Sequence, residues 1–473
     1  MNVKAPHALE LTPAEMHAMV ESAMGHILQE MESLPEQAAD RSGEVTPALL
    51  AELNEPLPQQ GVPFEQLFDL LFHQAAPLSL NAISPGFMGY VPGGGLFHAA
   101  VADLIGDALN RYIGVTHVAP ALSQIEASVI RWFCEIVGYP ASARGFLTSG
   151  GSLANLSALI TARETRLGSR FHKGVIYLSD QGHHCIEKAA RLAGFSGDAL
   201  RILPTGDDFC LDPQVLLEAV MADRQRGLEP FLVAASAGTT NTGAIDPLRE
   251  LAELAREEQL WFHVDAAYGG FFCLTERGRQ LMRGIDQADS IVLDPHKTLF
   301  LPYGTGALLV RDAAALKRTH SIEADYMPPM QENEAAVDFC ELSPELTRPF
   351  RGLRVWLPLK MHGAEVFRVY LEEKLDLARW LQTELAKFPQ LELLAPANLS
   401  ILAFALKQKG CSLEARNRAT RELLTDINRQ QRVHLTGTLL NGVFAIRIAV
   451  VAFRTHQERL QMLLEDLQSA LSS

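Results

Sequence analysis

Between about residue 98 and residue 310 the chain alternates short apolar runs with helical patterns. This alternation limits the fold more than any other feature. The runs are Gly174–Leu178, Phe231–Ala235, Leu260–Val264, Ser290–Leu293 and Ala307–Val310. Segments with helical spacing lie between them, among them Leu153–Arg166 and Pro247–Glu258. Strands separated by helices pair mostly in parallel, with the helices covering the sheet. The sequence therefore predicts an α/β domain with a mainly parallel sheet. Ligands of such sheets bind beyond the carboxyl ends of the strands.

The flanks differ. Thr12-Pro13-Ala14-Glu15 predicts a helix start, with Thr12 as N-cap, Pro13 in the first turn and Glu15 closing a capping box. Met16, Met19, Val20, Ala23, Ile27, Leu28 and Met31 follow at helical spacing, a stripe that needs a surface to cover. Asn54–Pro63 is Pro-rich and reads as a linker. The acidic, Pro-containing stretch 323–349 reads as a long loop, either a lid or a surface excursion. Beyond Arg351, Phe444–Val450 alternates like a half-buried strand. Thr455-His456-Gln457-Glu458 reads as a capping box before Leu460, Leu463, Leu464, Leu467 and Leu471. A chain of 473 residues is too long for one ordinary core. The expected division is an N-terminal helical segment 1–97, an α/β domain 98–350 and a small C-terminal α+β domain 351–473.

The net charge of −15 argues against nucleic acid or an anionic membrane as the main partner. No run of about 18 apolar residues is present, so no membrane span is expected. Met1–Glu15 lacks the basic-then-apolar order of a secretory signal. Six cysteines are scattered without a CxxC pair, which fits a reduced cytoplasmic protein with free thiols.

Four segments could carry chemistry. In Asp289–Thr298, Lys297 follows a strand and His296, where a sheet presents its ligand site. A lysine there either bonds covalently to an aldehyde cofactor or caps a surface loop. In Leu260–Gly270, an apolar run ends in Asp265 before small residues. A buried carboxylate needs a cationic partner, such as a protonated pyridine nitrogen, unless it only caps the next turn. In Gly145–Leu156, a Gly-rich turn enters a helix. Free N–H groups there favour a phosphate, to which Ser152 adds a hydroxyl. The Walker lysine is absent, and Gly150-Gly-Ser-Leu-Ala154 is not a nucleophile elbow. In Ser179–Cys185, His183, His184 and Cys185 are consecutive. Three consecutive side chains converge poorly on one tetrahedral ion, so a single functional histidine is favoured over a metal.

Taken together and in this order, these segments resemble the group II pyridoxal phosphate (PLP) dependent amino-acid decarboxylases, over about Pro85 to Arg454. The signatures Asp294-Pro-His-Lys297 and His263-Val-Asp-Ala-Ala-Tyr-Gly269 carry the resemblance. It implies the fold-type I architecture: a large seven-stranded PLP domain, an N-terminal segment and a small C-terminal domain. It also implies residue roles. Lys297 carries the cofactor, Asp265 pairs with the pyridine nitrogen, and His183 stacks on the ring. Gly151 and Ser152 bind the phosphate, with His296 beside it. Asp294 stands near the phosphate where several relatives have Asn, and Thr240 supports the cofactor. Homodimers with shared sites are implied, with the Met16–Met31 stripe packed across the dimer. The expected reaction is loss of CO2 from an L-amino acid to give the amine.

Two departures bear on details. Counting back without gaps from Phe350–Trp356 puts Phe339 where aromatic-specific relatives carry a proton-donating loop tyrosine. Phenylalanine has no proton to give, and some relatives with Phe there release aldehyde in an oxygen-dependent reaction. Tyr90 matches a substrate-wall tyrosine. Tyr112–Pro120 offers Thr116 and His117 where those relatives place Phe and Trp. Simple decarboxylation is the leading expectation, an aldehyde synthase the second, and a catalytically silent PLP-binding protein the third.

Overall fold

The computed structural model describes residues 9–322, 337–407 and 410–472. Helix α1 spans Pro13–Ser33 and starts as its sequence predicts. The Thr12 hydroxyl accepts from the Glu15 N–H, and the Glu15 carboxylate accepts from the Thr12 N–H at 2.7 Å. No residue of α1 is buried within the chain. Helices α2 (Phe97–Leu109) and α3 (Pro120–Val137) follow and lead into the large sheet.

Strands β1 (Arg144–Thr148), β2 (Gly174–Ser179), β3 (Leu200–Leu203), β4 (Glu229–Ser236), β5 (Trp261–Asp265), β6 (Ser290–Leu293) and β7 (Gly306–Val310) form one seven-stranded sheet. Its order is β1-β7-β6-β5-β4-β2-β3. Strands β2 to β6 pair in parallel, and β7 runs antiparallel to both its neighbours. Helix α4 (Gly151–Arg166) enters directly from β1. Alternation along each strand sends successive side chains to opposite faces. Phe262 and Val264 of β5 join one core with Val129 and Phe133 of α3. Trp261 joins the other with Ala154 and Ala158 of α4. A sheet buried on both faces explains why these strands read as continuous apolar runs.

Helix α5 (Arg351–Leu385) leads to the second sheet. Its backbone breaks at Gly363, with φ 72° and ψ 162°. Before and just after the break, Val355, Phe367, Leu371 and Leu375 pack in the large-sheet core. From Leu377 onward the helix packs in the core of the second sheet. That sheet contains β8 (Leu391–Asn398), β9 (Ile401–Leu406), β10 (Thr436–Leu440) and β11 (Val443–Ala449), all antiparallel in the order β10-β11-β9-β8. Helices α6 (Leu413–Arg429) and α7 (Gln457–Ser472) cover it. The capping box expected at Thr455–Glu458 gives way to a tertiary contact: the Thr455 hydroxyl donates to the Pro85 carbonyl at 2.8 Å. Most of the stretch expected as a long loop, residues 323–336, lies outside the described residues.

Candidate active site

The carboxyl ends of β2, β4, β5 and β6 and the start of α4 surround a cavity of about 320 Å³. Gly151, Ser152, His183, Thr240, Asp265, Asp294, His296 and Lys297 all line it. These residues come from five separate stretches of the chain, and the sheet topology alone brings them together.

Lys297 sits in the connection between β6 and β7, with its amine 2.9 Å from Asp294 Oδ2. Burial works against the charge on this amine, but the nearby carboxylates of Asp294 and Asp265 outweigh it and raise its pKa above the ordinary lysine value. Asp294 is buried, and its Oδ1 has no hydrogen-bond partner. A Cβ added at Gly151 would lie 3.0 Å from Asp294 Oδ2, so a larger residue there would press on this carboxylate. The first N–H groups of α4 have no acceptor within the helix. With Ser152 they offer donors to an anion.

Asp265 closes β5. Its Oδ1 accepts from the Ala267 N–H and its Oδ2 from the Asn155 amide, each at 3.1 Å. His183 Nδ1 accepts from the Cys185 N–H at 3.3 Å, and burial lowers the imidazole pKa. His296 Nδ1 lies 2.6 Å from the Thr305 carbonyl, and burial lowers its pKa as well. An aldehyde-reactive amine, anion donors at a helix start and a held carboxylate fit a ligand that carries an aldehyde, a phosphate and a basic ring nitrogen.

The residues expected for the substrate wall do not line this cavity. Tyr90 is 61% exposed, and its carbonyl accepts from Arg447. His117 is exposed. The Thr116 hydroxyl donates to the Val337 carbonyl at 2.7 Å and its N–H to Asp338 at 2.6 Å. Thr116 therefore holds the start of the segment leading to α5. Phe339, which the residue count put on a loop above the site, is fully buried in the short helix Phe339–Leu342. Its ring lies 4.8 Å beneath the Arg348 guanidinium, which pairs with the buried Glu126 at 2.8 Å.

Two residues around Asp265 were missed in the sequence: Asn155 and His263. The signal was available, because Trp261, His263 and Asp265 alternate along β5 and so share a face with α4.

The pyridoxal-dependent decarboxylase conserved domain matches residues 47–407. The chain belongs to that family. It is 32% identical over 460 residues to an aromatic-L-amino-acid decarboxylase of Bacillus atrophaeus, covering 97% of this chain and 96% of that protein. It is 29% identical to a phenylacetaldehyde synthase of Arabidopsis thaliana, covering 88% of each. Among solved structures it superposes on Oryza sativa TDC with PLP and tryptamine, with a TM-score of 0.92 and 26% identity over 98% of both chains. A second similar structure is Catharanthus roseus tryptophan decarboxylase in complex with L-tryptophan, with a TM-score of 0.91 and 27% identity over 98% of this chain and 99% of that one. The family member described here has the fold-type I architecture and is a PLP-dependent amino-acid decarboxylase, a carboxy-lyase. Among the described residues no helix is long and apolar enough to cross a membrane.

Proposed function

We propose that this decarboxylase converts an aromatic L-amino acid to its amine and CO2, as a cytoplasmic homodimer. The observation that carries the reading is the single cavity that joins Lys297, Asp265, His183 and the start of α4. The aromatic assignment is supported by the Bacillus relative, which matches nearly the whole chain.

In this reading Lys297 would hold the cofactor through its aldehyde carbon. Gly151, Ser152 and His296 would hold the phosphate beside Asp294, and Thr240 would support the ring edge. When bound, PLP supplies an electron sink for the pair released as CO2 leaves. Asp265 presents a fixed negative charge, anchored on both oxygens, and favours a proton on the ring nitrogen. His183, whose pKa burial lowers, would stack on the ring and orient the substrate without adding a competing charge. The Lys297 amine, once free, holds a proton inside the cavity, 2.9 Å from Asp294. Tyr90, Thr116 and His117 would form the substrate wall of the partner's cavity. The stripe of α1, exposed in the single chain, would pack across the dimer.

The test is a panel of L-amino acids given to the PLP-loaded protein, with CO2, amine, aldehyde and peroxide measured together. Tryptophan, phenylalanine or tyrosine should give CO2 and amine in equal amounts without peroxide. Aldehyde with equimolar peroxide would instead establish the synthase reading, which the phenylacetaldehyde synthase relative keeps in play. Lys297→Ala should lose the visible cofactor band, and retention of that band would overturn the assignment of Lys297.

A further inference from the structure

Running from the wall of the cavity at Asn155 into the core behind Asp265, four side chains form a continuous line of hydrogen bonds. Trp261 Nε1 is 2.8 Å from Ser290 Oγ. Ser290 Oγ is 2.8 Å from His263 Nδ1. His263 Nε2 is 2.7 Å from Asn155 Oδ1, and Asn155 Nδ2 is 3.1 Å from Asp265 Oδ2. Trp261, Ser290, His263 and Asn155 are all buried.

The direction of this line is set from both ends. An indole N–H only donates, so Ser290 Oγ accepts from Trp261. The Asp265 carboxylate only accepts, so Asn155 turns Nδ2 to it and Oδ1 to His263 Nε2, and a neutral imidazole then accepts at Nδ1 from the serine hydroxyl. With Nδ1 an acceptor, the imidazole proton sits on Nε2 and goes to Asn155 Oδ1. The Asn155 amide is then oriented without ambiguity. Its two N–H bonds point to Asp265 Oδ2 and to Cys185 Sγ, the latter at 3.2 Å. Each donor meets one acceptor, and the line ends on a carboxylate. A second proton on His263 would put two donors on Ser290 Oγ and leave the serine hydrogen without an acceptor. Burial acts in the same direction and holds the imidazole below its ordinary pKa.

The backbone builds this line cheaply. Trp261, His263 and Asp265 are alternate residues of β5 and face α4 together. Ser290 is the register partner of His263 on β6. Asn155 lies on the buried face of α4, one turn beyond Gly151.

We infer that His263 and Asn155, backed by Ser290 and Trp261, are positioning residues that fix the rotamer of Asp265 while adding no countercharge of their own. A cationic histidine here would offset the aspartate. A neutral line of donors holds the carboxylate in place without offsetting its charge. The inference rests on the reading of Asp265 as the partner of that nitrogen, and it adds the mechanism by which the chain maintains it.

The experiment is a double-mutant cycle read by the rate at which PLP leaves the holoenzyme into an aldehyde trap, alongside kcat and KM. His263→Phe should release PLP faster by about 10- to 100-fold, the usual loss when the support behind a ligand group is removed. Its kcat should fall while KM for the amino acid stays within roughly twofold. His263→Gln, whose amide can accept from Ser290 and donate to Asn155, should restore most of both. In an Asp265→Asn background, His263→Phe should change PLP release by less than about twofold, because the group being positioned is gone. Equal losses in both backgrounds, or a folded His263→Phe with wild-type release, would overturn the inference. If His263→Phe does not fold, Ser290→Ala reads the same quantity: faster release supports the line, and unchanged release refutes it. Asp265→Asn alone tests the underlying reading, since wild-type PLP retention and turnover there would remove the aspartate's role whatever the His263 variants do.

Discussion

At the residue scale, the signature side chains were legible and their supports were not. Asp265 ends an apolar run and Lys297 follows another by four residues, and polar residues just where a strand ends stand out against the run. Asn155 and His263 lie inside a helix and a strand. A buried polar residue there reads equally well as any satisfied core group, until the tertiary fold places 108 residues of sequence separation at 2.7 Å. Asp294 shows what such a neighbour does. Its carboxylate, with that of Asp265, holds the Lys297 amine protonated over a wider pH range than usual. Only the neutral amine attacks an aldehyde. Asp294→Asn should lower the lysine pKa and raise the neutral fraction at pH 7, so PLP should reload onto the apoprotein faster than in the wild type. The difference should shrink as pH rises and both amines become neutral. Stopped-flow reconstitution across pH checks this, and an equal rate for both proteins at pH 7 would refute it. Phe339 makes the opposite point, because counting along the chain said nothing about burial. Its ring has no exposed surface and lies beneath Arg348. Phe339→Tyr must seat a hydroxyl in that packed site. It should cost about 1–3 kcal/mol in guanidinium unfolding if the oxygen finds no partner. The ratio of amine to aldehyde should not change, which product analysis of the same preparation would show.

At the element scale, the five strands of the large sheet read from the sequence all form, within one or two residues of their expected ends. Two others of that sheet were not read. β1 holds Phe146 and Leu147 as its only large apolar residues before the Thr148-Ser149-Gly150 turn, too short a run to separate from the Gly-rich motif it feeds. β3 is a four-residue edge strand in which Arg201 and the half-exposed Ile202 break the apolar pattern. Both lie at the margins of the sheet, where burial on two faces no longer writes itself into the sequence. Helix α5 hides a different feature. A glycine in a helical pattern usually costs little, but Gly363 adopts φ 72° and ψ 162°, a region that is essentially glycine's alone. No atom lies within 4 Å of a Cβ added there, so only backbone strain opposes substitution. Gly363→Ala should destabilise the protein by about 1–3 kcal/mol. The cofactor band should be untouched, because the break lies outside the residues that line the cavity. Urea unfolding monitored together with visible absorbance separates the two effects.

At the scale of the whole molecule, the residues expected to hold the cofactor come together within one chain, and those expected on the substrate side do not. Eight of the eleven residues expected in the site line one cavity. Tyr90 and His117 face outward, and Thr116 is engaged by Val337 and Asp338. Helix α1 likewise forms as predicted yet leaves Met16, Met19, Val20 and Leu28 at least 40% exposed. Leu104, Ile105 and Leu109 of α2 are exposed as well. The exposed part of this apolar stripe has no stabilising role in an isolated chain, since exposed apolar area contributes nothing to the core. A second copy would account for both observations, by covering the stripe and by bringing a substrate wall to each cavity. Val20→Glu, made together with Met19→Glu, would place two charges in the centre of such an interface. Sedimentation velocity should then show a monomer where the wild type sediments as a dimer. Because α1 buries nothing in its own chain, far-ultraviolet circular dichroism of the variant should be preserved. Turnover should fall by more than about tenfold, since an unpaired buried charge at an interface costs several kcal/mol and removes the shared wall with it. A variant that sediments as the wild type and retains full turnover would mean that the stripe of α1 faces some other surface and that the substrate wall is built without a partner.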